Sequence, residues 1–276
     1  MAISINSNVE SLGAVHRLLA NQKQTQSTLA KLSSGKRVNG AQDDAAALAI
    51  AVSMLSQQTS LNQAVDNAGD AADAVSMADV ALNDSTDILT RMRELTIEAG
   101  SGALDVTARG DIQNEIDALK AELDRIAGST EFNGTALLNA RATQTYQVGA
   151  NNVAANDRLN VTTPDATAAA LGVSSLDVSN VSSAATSLDA IDGALQTASS
   201  SRAALGTQAA RAAFAAWLAR ESVINLAAAS SSLIDANVAT ESSNLSRDLI
   251  LGNTSASVLV QANQHPQAAL RLLSPA

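Results

Sequence analysis

The sequence contains no cysteine, which excludes disulfide staples, thiolate nucleophiles and cysteine-bound metals. Aromatic residues are nearly missing: Phe132, Tyr146, Phe214 and Trp217 make up 1% of the chain, against 46% hydrophobic residues overall. The apolar content is therefore mostly Ala, Leu, Val and Ile, which suits close helix–helix seams better than a thick core. Only Pro164, Pro266 and Pro275 break the helical potential, so long stretches are free to be helical. No run of 18 apolar residues occurs, and no transmembrane helix is expected. The opening Met1–Asn6 lacks a basic stretch followed by an apolar one, so no cleaved secretory signal is expected. The chain is then either intracellular or exported by a route that needs no such signal.

Catalytic signatures are missing too. There is no His-Glu-x-x-His and no glycine-rich phosphate loop ending in Lys-Ser/Thr. Two histidines, His16 and His265, give no basis for a Ser/His/Asp set. No catalytic residue, metal site or cofactor is expected, and the chain does not read as an enzyme. A metal pair between His16 and His265 is outweighed by solvated histidines, and a cation at Asp43-Asp44 by a helix N-cap.

The net charge of −10 is unevenly spread. Residues 1–40 hold five bases and one acid, whereas residues 41–140 hold seventeen acids and five bases. A basic end against an acidic body suits subunits that pack end against side. The acidic bulk and the lack of stacking aromatics disfavour nucleic acid as a partner.

What is present is helical periodicity. From Asp44 to about Ala99 there is no proline, and Leu61, Val65, Ala68, Ala72, Val75, Ala78 and Leu82 recur at about 3.5 residues, the period of a coiled-coil seam. Leu89, Met92 and Leu95 continue it. Such a helix would be about 80 Å long. Residues 4–32 form a weaker amphipathic helix, and Ser33–Gly40 breaks it with two glycines. Gly100-Ser101-Gly102 ends the rod, a helix follows over about 107–126, and Asn133-Gly134 marks a tight turn. Residues 136–180 are β-prone, with alternation at Thr145–Val148 and Leu159–Thr162, and read as a surface-variable insert. Helical periodicity returns from about Ser182 to the end, with Phe214 and Trp217 expected to fill a seam and Gly252-Asn253 expected to interrupt the last helix.

The fold class is thus mainly α: a long antiparallel coiled-coil bundle with paired terminal helices and a small β-hairpin insert. The expected domains are 1–43 plus 236–276, and a rod of 44–235 carrying the 136–180 segment. Even paired, the marginal terminal helices would leave apolar stripes exposed, so the subunit should be complete only in an assembly.

Several ordered segments resemble bacterial flagellin. They are Ile5–Val9, Leu32–Asn39, Asp43–Ala46 with Leu48–Ile50, Leu89–Leu95, Glu131–Thr135, Gln147–Asn151, Ala239–Arg247 and Val258–Gln264. The resemblance implies a filament subunit, exported unfolded through the flagellar type III pathway, that polymerises outside the cell under a cap. The partners it implies are further copies of the chain, cap and junction proteins and an export chaperone, with no membrane. Its polymerisation interface would be Ile5, Val9, Leu12, Leu19, Leu29, Leu32, Leu245, Leu249, Leu259, Leu270 and Leu273. Arg91, Leu95 and Glu115 match a patch that an animal innate receptor for flagellin reads; alternatively Arg91 and Glu115 make contacts between protofilaments, and both readings stand. Serines and threonines in 143–187 could carry O-linked sugars. A hook–filament junction adaptor is the alternative function. The chain departs from the family in the Ala212–Trp217 stretch and in Ser230–Ser232.

Overall fold

The computed structural model describes residues 7–273, with side chains described through Pro266. Five long helices dominate it: α1 (Val9–Ser34), α2 (Ala45–Ala99), α3 (Val106–Ser129), α5 (Val181–Ile234) and α6 (Val238–Leu273). Each begins on an Asn or Asp whose side-chain oxygen accepts a backbone N–H three residues on. Asn8 takes Ser11, Asp44 takes Ala47, Asp105 takes Ala108, Asn180 takes Ser183 and Asn237 takes Thr240, at 2.8–3.1 Å. These caps satisfy N–H groups that the helix itself leaves without partners. Asp44 therefore serves as a cap. Asp43 folds the preceding loop by accepting the backbone N–H groups of Asn39 and Gly40.

The chain divides into two compact units, 1–56 with 225–276, and 57–224. In the second unit, α3 and α5 each pack antiparallel to α2. Arg93 meets Asp192 at 2.7 Å and Arg202 meets Asp79 at 3.0 Å, so residue numbers on α2 rise as those on α5 fall. Ala47, Ala51, Ala74, Ala81 and Leu95 of α2 are buried, and beside them one row of buried positions runs through Ala64, Ala68, Ala71, Val75, Ala78, Leu82, Ser85, Leu89, Met92, Thr96 and Ala99. Their steps alternate strictly between four and three, which keeps one seam on one side of the helix. On α5 the seam is Ala184, Ser187, Ile191, Ala194, Ala198, Leu205, Ala212 and Ala219, in steps of three, four or seven. Alanine dominates both, so the backbones approach closely.

This frame corrects two sequence expectations and adds two polar residues to the seam. Leu61, Val65 and Ala72 are only half-buried, because the seam runs through Ala64 and Ala71 instead. Ser85 and Thr96 occupy seam positions that an apolar template passes over. Each is satisfied within its own helix, donating its hydroxyl to the carbonyl four residues back (Ala81 at 2.9 Å, Met92 at 2.8 Å). Phe214 and Trp217 do not fill a seam. Ala212 and Ala219 hold the seam there, and the two rings project outward from α5.

Two small hairpins follow α3. β1 (Glu131–Phe132) and β2 (Thr135–Ala136) pair across Asn133-Gly134, both at positive φ (49° and 74°), the geometry of a type I′ turn. β3 (Ala142–Gln147) pairs antiparallel with β4 (Arg158–Thr163), and a one-turn helix, α4 (Ala154–Asp157), sits in the connecting loop. Regular strand ends at Thr163, so the β-prone reading of 136–180 holds only for its first part. Residues 164–180 form no strand and contribute to the core as well as the surface: Ala166, Ala168, Val173 and Val178 are buried against α2, α3 and α5, whereas Ala169, Ala170, Ser174 and Ser175 are exposed. Side chains of α3 anchor this stretch. Asp124 accepts the N–H of Ala168 at 2.8 Å, and Gln113 binds both Val178 N–H and Leu176 C=O. A strand-period search cannot see this, since the segment is buried without regular structure.

The first unit holds α1 and α6 with the ends of α2 and α5. α1 stops at Gly35 in a left-handed conformation (φ 68°) that favours glycine. The next residues lie against the α5–α6 turn: Arg37 N–H donates to Ile234 C=O at 2.7 Å, its guanidinium to Leu233 C=O, and Ala236 N–H to Gly35 C=O. α6 continues unbroken through Gly252-Asn253, contrary to the expected interruption. A single helical glycine costs only about 1 kcal/mol against alanine, which the pairing of α6 with α1 offsets.

Candidate polymerisation surface

α1 and α6 run antiparallel, joined by polar side chains. Asn8 Nδ2 donates to Ala262 C=O at 2.8 Å, and Ser11 Oγ to Asn263 Oδ1 at 2.7 Å. Asn21 Nδ2 reaches Ser255 Oγ at 2.8 Å, and Thr28 Oγ1 lies 3.0 Å from Asp248 Oδ2. The residues buried on the two helices are small or polar: Ala14, Thr28, Asp248 and Ala262. Many of their large aliphatic residues stand exposed, while Leu18, Leu32, Leu245 and Leu259 are half-buried. Val9 is 72% exposed and Leu12 66%, and Leu19, Leu29 and Leu249 are about half exposed or more. The pair thus turns much of its apolar surface outward, the reverse of a self-sufficient amphipathic hairpin.

Of the residues expected at an interface, Val9, Leu12, Leu19, Leu29 and Leu249 stand exposed on this pair, while Leu32, Leu245 and Leu259 are half-buried. Ile5 lies outside the described residues, as do the side chains of Leu270 and Leu273. The structure adds exposed Ile250, Leu251, Val258 and Val260 on α6, and Ile50, Val52 and Leu55 on the first turns of α2. The excess of apolar residues over those a single seam can use was the sequence signal for these.

The second unit carries the other predicted patch. Arg91 Nη2 contacts Glu115 Oε1 at 2.9 Å, and Nη1 contacts Glu94 at 3.2 Å. The hydrogen bond to Glu115 leads the causes that push the Arg91 guanidinium above its ordinary range. All three side chains are about half exposed or more, so this is a solvated ion-pair cluster, worth little as a staple. Leu95 does not join them. It is 2% exposed and sits in the core cluster that includes Ile112 and Ile116, because it follows the α2 seam inward. Of the three residues, Arg91 and Glu115 therefore lie at the surface and Leu95 does not.

His265 lies 3.9 Å from Glu10. Among the described residues no group of three His, Asp or Glu assembles to hold a metal. No described helix is long and apolar enough to cross a membrane.

Long heptad helices, a close alanine seam and an outward-facing apolar helix pair define a structural subunit built to be completed by neighbours. The sequence matches the family model of the bacterial flagellin N-terminal helical region over residues 5–143, and that of the bacterial flagellin C-terminal helical region over residues 188–273. It is 36% identical to a flagellin of Bacillus subtilis, over 98% of this chain and 99% of that one, and 35% identical to flagellin FlaB1 of Treponema pallidum with the same coverage. A crystal structure of Bacillus cereus flagellin, 28% identical, covers 55% of this chain and 87% of its own at a TM-score of 0.49. The chain belongs to the bacterial flagellin family. Nothing in these matches favours the junction adaptor.

Proposed function

We infer that this chain is a structural subunit that self-assembles into the bacterial flagellar filament. The observation that carries the reading is the α1–α6 pair, whose seam is small and polar while Val9, Leu12, Leu19 and Leu249 face out. An isolated subunit gains nothing from that arrangement. A polymer buries those side chains against neighbouring copies, at about 25 cal/mol per Å² of apolar area. In this division of labour 1–43 with 236–276 makes the filament core, and 44–235 makes the surrounding wall. The role is mechanical, without a catalytic step, and the filament lies outside the cell.

Family membership supports the wider reading. The chain leaves the cell unfolded through the flagellar type III route, held beforehand by an export chaperone, and adds at the tip beneath a cap, with junction proteins at the base. The exposed Arg91–Glu115 pair is available to a lateral neighbour in the filament or to an animal innate receptor acting on free subunits. Thr143 and Thr145 on β3 are exposed and open to O-linked sugars, which intact mass reads directly.

The test is elongation. Purified chain is added to short filament fragments and followed by electron microscopy. Growing filaments are expected; a stable folded monomer that never adds to the fragments overturns the reading.

A further inference from the structure

Two of the four aromatic residues stand together on the solvent side of α5. Phe214 and Trp217 are 62% and 57% exposed, with ring centroids 5.7 Å apart, and Leu218 beside them is 51% exposed. A tilted aromatic pair, its planes 31° apart, left in water is a poor use of large hydrophobic side chains in a chain that has so few aromatics. Arg211 and Arg220 flank the pair in sequence, both exposed, and neither joins an ion pair among the described residues; exposed Glu221 follows Arg220.

The same unit carries a surface of opposite character. Between α2 and the start of β1 lies a groove of about 550 Å³, lined by exposed Met77 and Val80 and edged by Asp73, Asp84 and Glu131. None of these three acids has an ion-pair partner among the described residues, and no basic side chain lines the groove. We propose that the Phe214–Trp217 knob of one copy docks in the Asp73–Asp84 groove of a second copy, with Arg211 and Arg220 answering the acids at its edge.

The two surfaces cannot meet within one molecule. Arg202 contacts Asp79, so the groove on α2 is level with about residue 202 of α5, and Trp217 lies about 22 Å further along that helix. A second copy displaced along the helices brings knob and groove together. The contact joins two different surfaces, so it leaves a free knob at one end and a free groove at the other and can repeat from copy to copy. This rests on the filament-subunit reading and adds to it a specific lateral contact, distinct from the α1–α6 surface.

Trp217 is the only tryptophan, so its fluorescence reports the docking without any substitution. In the wild-type monomer the emission is that of a solvated indole. On seeded elongation it moves to the blue, and acrylamide quenching falls about fivefold as the ring is desolvated. Asp73→Lys/Asp84→Lys slows elongation about tenfold, and adding Arg211→Glu/Arg220→Glu in the same chain restores it to within about twofold. Circular dichroism of the monomers checks that each variant keeps its helices, and the wild-type fluorescence stands whether or not they do. Filaments whose Trp217 stays as quenchable as in the monomer overturn the proposal. So do groove variants that elongate at the wild-type rate, or a double reversal that restores nothing. Wild-type chain that forms no filament at all overturns the subunit reading itself, and this contact with it.

Discussion

Thr28 on α1 and Asp248 on α6 meet at 3.0 Å with 1% and 4% of their surfaces exposed, the one buried side-chain hydrogen bond between these two helices among the described residues. The Thr28 hydroxyl has a single proton and a second acceptor, Gln24 C=O, at 3.1 Å. It is therefore the group that ties the packing of α1 to the only buried carboxylate on α6. Replacing it by an isosteric apolar group leaves Asp248 without that partner. Thr28→Val is expected to destabilise the assembled helix pair by about 1–3 kcal/mol. Calorimetric melting of filaments checks this: the midpoint should fall, and Thr28→Ser should recover most of the loss.

The alanine seam gives a second expectation. Ala78 is fully buried where α2 faces its neighbours in the second unit. A larger residue there must push the helices apart or adopt a strained rotamer. Ala78→Leu is expected to cost about 1–3 kcal/mol despite its greater hydrophobicity. Urea unfolding of the monomer measures it, and Val80→Leu, exposed two residues on, serves as the neutral control.

These two cases show where the sequence was legible. The 3.5-residue period of α2, the breaks at Gly35 and Gly100, the Asn133-Gly134 turn and the β3–β4 pair are all local patterns, and each is found in the structure. The frame of the seam was less legible, because alanine is frequent on every face of α2 and Ser85 and Thr96 hide two of its positions. The burial of Ala168 and Val178 within 164–180 was not legible, because it depends on Gln113 and Asp124, which are distant in sequence. Leu95 was assigned to a surface patch with Arg91 and Glu115 from resemblance alone, and only packing reveals that it points inward. The outward aliphatics of α1 and α6 were visible as apolar markers. That the helices pair through their small polar face instead was not.

The loop between β3 and β4 gives a third expectation. A methyl group on Gly149 would overlap the side chain of Asp157, which accepts the Val153 N–H at 3.0 Å and is itself buried. Gly149→Ala should displace that carboxylate and forfeit the hydrogen bond, at about 1 kcal/mol. Hydrogen exchange should show faster exchange at Val153 and in β3 and β4, with the exchange of α3 unchanged.

Acid should weaken the second unit. The Lys120 ammonium holds the Asp117 carboxyl below its ordinary range, Arg125 does the same for Glu122, and the backbone N–H of Ser179 does so for Asp177. The folded chain thus binds fewer protons at these groups than the unfolded chain. Their contribution is complete above the unfolded carboxylate value of about 4 and is lost as pH falls through the lower folded values. The thermal midpoint should therefore drop between about pH 4 and pH 2, and Asp117→Asn/Asp177→Asn should flatten that limb. An unchanged limb would remove these two carboxylates from the account.

The central claim is that polymerisation requires the terminal helices, and that contacts made by the heptad rod cannot replace them. Seeded elongation of the intact chain beside a chain lacking residues 1–35, followed by electron microscopy with circular dichroism on each monomer, tests it most directly. The intact chain should extend the seeds, and the truncated one should remain helical and soluble and add nothing. Filaments growing from the truncated chain would contradict the claim.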